Sequence, residues 1–320
     1  MNRTTSSIVI GIVLLVGVSL YYRDVSLNPF KDINVTEIGT DKPPIWIYLN
    51  SSDVNSRSWA DFMDRSSRAI NLPFLNLCYE SIVKHNSAIY RIEVIGGLSD
   101  LALRMGGWDC LPDSLQNPNT VVREPELNWI RSAVLAKWGG LWVSPANICI
   151  KPFGPLPKKR VVFFGTDTGS AYATSSTIPA LNVIWSPVPN HSLWVTWEKK
   201  VRERLNRKSG GSEFRNDEKS DLADALSEFK NDCVLMPGAE LSRKGASLKR
   251  IELEDLLAAG TEGDIPFSVP NHTIYLPIPY TEILQRSAFD WFLRMSEDQI
   301  LNSDLVISYF FTASAKIKHS

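Results

Sequence analysis

The sequence predicts an α/β fold, an open sheet with helices on both faces, and three observations carry that expectation. Short apolar runs of strand character alternate with amphipathic runs of helical period from Ile45 to Ile150. Glycine pairs stand at two junctions, Gly96-Gly97 and Gly139-Gly140, where the chain needs backbone angles that other residues avoid. The run after the second pair, Leu141-Trp142-Val143, ends on polar residues. Open α/β sheets bind ligands at the carboxyl ends of their strands, so residues 144 to 147 are the first place to look for a site.

Taken in order, the chain begins with Thr4 to Tyr22, which carries no charged residue and is bracketed by Arg3 and Arg23. At helical rise these positions span about 28 Å, enough for a thin bilayer, with Tyr21 and Tyr22 at interfacial level. The expectation is a transmembrane anchor over residues 1–23, a stem over 24–42 and a globular domain over 43–320. The competing reading is a cleaved secretory signal, which Val18-Ser19-Leu20 and the bulky tyrosine pair fit poorly. The anchor implies a single-pass membrane protein with a luminal body of the Golgi or ER type.

Ile45 to Leu49 reads as the first strand, and Ser58 to Ala69 as a helix or an exposed loop. Leu75 to His85 places Leu77, Cys78, Ile82 and Val83 on one helical side, Ile89 to Ile95 alternates as a strand, and Leu98 to Arg104 begins a short helix. Leu127, Ile130, Val134, Leu135 and Trp138 fall at helical spacing with Arg131 beside the seam, and Gly139-Gly140 stops that helix. Beyond Phe153, Val161 to Gly165 reads as a strand. Thr166 to Thr177 reads as a loop able to close over a ligand, and Ala180 to Trp185 as a strand or short helix. His191 to Leu205 is helical, and Lys208 to Ser220 is a polar insert expected to be mobile. Short helices follow at Ser220 to Phe229, capped by Ser220 or Asp221, and at Glu252 to Leu257, with a longer one over Tyr280 to Met295.

The formal net charge of −1 argues against a general nucleic-acid binder, which usually shows a basic surplus. The four histidines are scattered without zinc spacing. Gly165-Thr-Asp-Thr-Gly169 has the Asp-Thr-Gly of aspartic proteases but neither a second copy nor an all-β surrounding. Cys78, Cys110, Cys149 and Cys233 read equally as disulfide partners or as buried small apolar side chains. Glycosylation triplets begin at Asn34, Asn50, Asn190 and Asn271, in agreement with a luminal body, and at Asn2 on the other side of the anchor. Among the ten tryptophans, Trp59, Trp108, Trp129, Trp142, Trp185 and Trp194 read first as core and second as platforms for sugar faces.

The segment Arg131, eight residues, Gly139-Gly140-Leu141-Trp142-Val143 and then Lys151-Pro152 resembles a motif of known enzymes. It is similar to that of mannosyltransferase-like glycosyltransferases with the sugar-binding Asp-x-Asp motif and of the related capsular polysaccharide synthesis proteins. Ile45 to Asn50 resembles the opening strand of that family. Two positions depart from the pattern: Asn128 stands where the helix aspartate is found, and Ser144-Pro145-Ala146 replaces the metal-binding triplet. The resemblance implies a GT-A type of Rossmann-like fold, a nucleotide-sugar donor and a glycan or glycoprotein acceptor. It implies that Tyr48 and Asn50 approach the nucleotide, that Arg131 organises the donor edge, and that the Gly139-Gly140 turn and Trp142 set the strand carrying Ser144 and Asn147 toward the sugar.

In the family a divalent cation, Mn2+ or Mg2+, neutralises the leaving diphosphate. Serine and alanine do not replace those carboxylates, since a hydroxyl is a weak neutral ligand and alanine offers no donor atom. Three alternatives stay open. The cation is held elsewhere, with Asp109, Asp113 and Asp167 as distant candidates; or basic groups and backbone amides meet the charge; or the chain binds without turnover. The last describes a glycan-binding or partner-stabilising subunit that keeps the fold and has lost the chemistry.

Overall fold

The computed structural model of the chain describes residues 42–50, 72–166, 179–207, 213–244, 249–260 and 265–316. Its first half runs β1 (Pro44–Leu49), α1 (Pro73–Asn86), β2 (Arg91–Gly96), α2 (Leu98–Met105), α3 (Glu124–Trp138) and β3 (Gly140–Val143). The second half adds β4 (Asn147–Cys149), β5 (Val161–Phe163), β6 (Val183–Ser186), α4 (Ser192–Asn206), α5 (Glu213–Glu228) and β7 (Cys233–Leu235). It closes with α6 (Leu253–Leu256), β8 (Tyr275–Pro277), α7 (Tyr280–Gln285), α8 (Asp290–Leu293), α9 (Glu297–Leu301) and α10 (Val306–Lys316).

Six strands pair in the order β2-β1-β3-β6-β5-β7, and all run parallel except β6, which is antiparallel to both neighbours. β4 leaves this sheet and pairs with β8 in a separate two-stranded one. Successive side chains of a strand point to opposite faces. Ile45, Ile47, Leu141, Val143, Val162 and Val183 therefore join one apolar cluster with α1 and the C-terminal helices. Trp46, Tyr48, Trp142, Phe163 and Ile184 join the other with α2, α3 and α4. A sheet covered on both faces needs no polar alternation, which is why β1, β3 and β5 read as continuous apolar runs, while the edge strand β2 alternates with Arg91 and Glu93.

The connections set the geometry that matters for binding. From β1 the chain crosses by α1 over one face to β2. From β2 it returns past β1, by α2 and α3 over the opposite face, to β3. Leaving β1 in opposite directions makes β1/β3 a topological switch point, with a crevice at the carboxyl ends of the two strands.

At the other edge, Gly139 and Gly140 turn α3 into β3 with φ of 64° and 91°. Trp46 Nε1 donates to the Gly139 carbonyl at 2.8 Å, and a Cβ on Gly140 would lie 2.6 Å from the Pro44 carbonyl oxygen. Glycine is required there both for the backbone angle and for the approach of β3 to β1.

Several expectations are corrected. The fold class loses its transmembrane helix, and the single-pass membrane location with a luminal body falls with it. No helix among the described residues is long and apolar enough to cross a membrane. The longest of them run 14 to 16 residues, too short for a span of about 20. The stretch on which the anchor was placed, and the stem, lie outside the described residues apart from Lys42. The polar insert is helical in its second part, since α5 starts at Glu213. Asp221 is therefore no cap but an interior residue of α5, holding Arg204 at 2.6 Å. The long helix expected over 280–295 breaks at Arg286, whose backbone is extended and whose guanidinium bridges Glu282 and Glu254. That bend brings Phe289 and Phe292 to the core. The reading of 58–69 and the loop over 167–177 lie outside the described residues.

Two predictions follow from this frame. Gly140→Ala should lower the denaturant midpoint by an amount equivalent to about 1–3 kcal/mol. Gly96→Ala, whose Cβ meets nothing within 4 Å, should stay within about 0.5 kcal/mol of the parent. His191 caps α4 by accepting the Leu193 N–H on Nδ1 at 3.3 Å, and burial lowers its pKa against the opposing pull of Asp232. A folded pKa below the unfolded value of about 6.5 means the unfolded chain binds the proton more readily. The cap's contribution is thus present above that pH and is lost as pH falls through the folded value. His191→Asn, a good cap without a titration, should flatten the pH dependence of the melting temperature below pH 6.5, and His191→Ala should cost about 1 kcal/mol at pH 7.5.

Candidate functional site

The carboxyl ends of the parallel strands line one edge of the sheet. Gly96 closes β2 beside Leu49, and Asn50 follows β1. Ser144 follows β3 and donates its N–H to the Asn182 carbonyl at 2.8 Å, while Phe164 follows β5 and donates to Val183 at 3.1 Å. Asn50 and Ser144 therefore flank the mouth of the β1/β3 crevice, and both are half-buried.

The rest of the predicted set divides. Pro145 is half-buried beside Ser144, but Ala146 and Asn147 are sealed, with Asn147 only 1 % exposed. The Asn147 amide donates back to the Ser144 carbonyl at 3.0 Å, and its Oδ1 has no partner among the described residues. Asn147 thus braces the turn after β3 rather than projecting from it. Tyr48 and Trp142 belong to the core layer beneath the edge, each buried against α3 and its neighbours. Gly139 and Gly140 lie at the opposite edge, where they place β3 without reaching its end.

Arg131 is buried on α3, which runs antiparallel to the strands and so has its N-terminal half toward the site edge. Its guanidinium carbon sits 5.6 Å from the centre of the Trp142 ring, and Nη1 donates to Asn128 Oδ1 and, at 3.3 Å, to Glu124. Its Nε has no partner among the described residues. Burial pulls the pKa of this guanidinium below its usual value, with Glu124 opposing. Asn128 presents a neutral amide oxygen to Arg131, whose ion-pair partner is the exposed Glu124.

The expected cation ligands are not assembled. Asp109 and Asp113 are exposed on short turns beside α4, where Arg202 donates to the Cys110 carbonyl at 2.9 Å and Asp113 N–H donates to Asn206 Oδ1 at 3.1 Å. Asp167 lies outside the described residues. No group of three or more His, Cys, Asp or Glu side chains placed for a metal occurs among them. Ser144, Asn50 and Asn147 offer hydroxyl and amide groups without a carboxylate, which is a poor donor set for Mn2+ or Mg2+. All four cysteines are free; burial pushes the Cys149 thiol up to about 12 and Cys78 well above its usual value.

One group at this edge escaped the sequence reading. Glu240 is buried with its carboxylate against Gly165, where an added Cβ would lie 2.2 Å from Oε2. The Tyr275 hydroxyl donates to the Phe164 carbonyl and stands 2.7 Å from Glu240 Oε2. Burial raises the pKa of Tyr275 well above that of free tyrosine, and the Glu240 charge adds to the effect. A carboxylate between apolar Ala239 and Leu241, facing a glycine after a strand, was the available signal.

No family model matches the chain, and no curated protein matches its sequence. Among solved structures the chain is similar to the glycosyltransferase GlyE in Streptococcus pneumoniae TIGR4, at 12 % identity and a TM-score of 0.31 over 61 % of this chain; the match spans 45 % of that protein's length.

Arg131→Met tests whether the buried guanidinium is structural. A side chain of similar length without the unpartnered Nε should hold stability within about 1.5 kcal/mol of the parent in chemical denaturation, since Glu124 is free to solvate. Arg131→Ala leaves a cavity and should lose about 2–5 kcal/mol.

Proposed function

We propose that the chain is a glycosyltransferase-like protein that holds a nucleotide-sugar donor at the β1/β3 crevice, with a glycan or glycoprotein acceptor beside it. The observation that carries this reading is the switch point itself, with Asn50 and Ser144 at its mouth on strands that end together. Neutral donors and acceptors at that mouth suit the hydroxyls of a ribose or sugar. The family resemblance of residues 124 to 153 supports the same ligand class. Leaving-group charge on the diphosphate falls to Arg131, below the edge. The role of a divalent cation belongs to the family and has no ligand set among the described residues of this chain.

A second reading has a specific observation in its favour. Ala146, at the last position of the segment that resembles the metal-binding triplet, is sealed, so a donor or glycan held at this edge without turnover fits the same geometry. That is a catalytically inactive glycan-binding or partner-stabilising subunit.

Melting temperatures of the purified chain with uridine and guanosine diphosphate sugars, with and without Mn2+, together with release of free nucleotide, decide between them. A donor at about a hundred times its Kd adds roughly 2.7 kcal/mol to stability, a shift of several degrees. Ser144→Ala and Asn50→Ala should shrink that shift without lowering the melting temperature of the free protein by more than a degree or two. A shift with nucleotide release supports a transferase, a shift without release supports the inactive reading, and the absence of both overturns a donor site at this crevice.

A further inference from the structure

A shallow, open depression lies away from the strand mouth, among the C-terminal helices. It has a volume of about 950 Å3 and is lined chiefly by Asp290, Trp291, Arg294, Met295, Gln299 and Asn302, on and around α8 and α9. Trp291 is 44 % exposed, and its ring meets Phe292 edge-on at 79° with centroids 6.0 Å apart. Phe292 is wholly buried, so the indole packs against a fixed base while part of it stays open to solvent. Of the other tryptophans among the described residues, Trp46, Trp129, Trp142, Trp185, Trp194 and Trp197 are buried in the core, and Trp108 and Trp138 are half-buried.

Asp290 and Arg294 sit one helical turn apart, yet neither side chain makes a hydrogen bond or an ion pair among the described residues. Gln299 uses its Oε1 on the Ser296 N–H and keeps its amide protons, and Asn302 donates to the Asp298 carbonyl and keeps its oxygen. The set therefore offers donors and acceptors in balance with no net charge. A sugar ring has the complementary surface: an apolar C–H face for the indole, and edge hydroxyls that both donate and accept. An anionic ligand would find Asp290 opposing it.

The depression is joined to the strand mouth by direct contacts. Ile278, just after β8, donates its N–H to the Ala146 carbonyl at 2.8 Å, and Tyr280 opens α7 two residues later. The Tyr280 ring packs 6.0 Å from Phe74 at the start of α1, and Phe74 packs 5.5 Å from Phe292. Asn76 donates to Glu297 of α9 at 2.9 Å. The N-terminal end of α1 lies on the same side of the sheet as the carboxyl end of β1, so the depression and the crevice share one side of the molecule.

From these observations we propose that the Trp291 depression binds a neutral oligosaccharide. Resting on the function proposed above, it is the subsite that holds a glycan acceptor while the donor occupies the β1/β3 crevice. Trp291 supplies the stacking face, and Arg294, Asp290, Gln299 and Asn302 read the hydroxyls.

Titration of the full chain with mannotriose, chitotriose and maltotriose, followed by saturation-transfer NMR and tryptophan fluorescence, tests it without requiring turnover. The expected result is saturable binding of at least one of the three. Trp291→Ala should weaken it at least about tenfold, as loss of an aromatic platform implies. Trp291→Phe should weaken it less, and Leu284→Ser, an exposed apolar change outside the depression, should not alter it. Circular dichroism melts confirm that the Trp291 variants fold. Binding by none of the three sugars, or binding that Trp291→Ala leaves intact in a folded protein, overturns the proposal. Donor-induced stabilisation with no oligosaccharide binding would sink this subsite and leave the donor crevice standing; oligosaccharide binding lost on Trp291→Ala with no donor effect would do the reverse.

Discussion

The approach of Gly140 to Pro44 is the constraint on which the rest of the structure depends. α3 delivers the chain to the start of β3, and β3 pairs with β1 in the register Ile45 to Leu141 and Trp46 to Trp142. Any side chain at position 140 would meet the Pro44 carbonyl before that register was reached. Trp46 strengthens the junction from the other strand, with its indole N–H on the Gly139 carbonyl and its ring 5.0 Å from Trp138. The register in turn aligns the far ends of β1 and β3. Asn50 and Ser144 face one crevice because of a contact several residues away, at the opposite edge of the sheet.

Around that frame the polar groups divide by how they are satisfied. Asn128, Arg131 and Glu124 form a cluster from the interior to the surface, in which one nitrogen of a fully buried cation donates both to a buried amide and directly to a solvated carboxylate. Breaking such an arrangement at one member leaves the others stranded, whereas an apolar replacement of the buried member removes the desolvation penalty itself. Tyr275, Glu240 and the Phe164 carbonyl form a second cluster, which ties β8 to the end of β5. Both clusters lie near the carboxyl edge of the strands. Their burial gives the edge a rigid polar underside while the mouth keeps neutral side chains.

Much of the frame was legible because periodicity and glycine report local physics. The strand at 45–49, the helix over 75–85 and the helix, glycine pair and strand from 127 to 143 all stand close to where their spacing put them. The failures have physical causes. The polar residues and glycines of the insert after Lys208 hid a helix start, since residues 213–220 form the first part of α5. An apolar rhythm continued from Tyr280 to Met295 through a bend that the Arg286 bridges to Glu282 and Glu254 accompany. Site residues were legible by position and not by orientation. Ser144 stands at the mouth as its place after β3 required, while Asn147, three residues on, turns inward because β4 leaves the main sheet to pair with β8. Glu240 and Tyr275 were missed because their meeting is tertiary, across 35 residues of chain.

The same departure of β4 links the two ends of the molecule. A β3 that continued in the main sheet would end at its edge, and the turn over Ser144, Pro145 and Ala146 would be a free loop. Instead β4 pairs with β8, Ile278 binds Ala146, and the helices after β8 pack through Phe292 and Tyr280 onto the first turn of α1. The turn at the crevice mouth is therefore held from behind by the element that also supports Trp291. Movement of α7 and α8 against α1 has a short path to Ser144, through an aromatic contact and a backbone hydrogen bond. A ligand on the indole face and a ligand in the crevice would load one packed unit, so coupling between them requires no rearrangement of the central sheet.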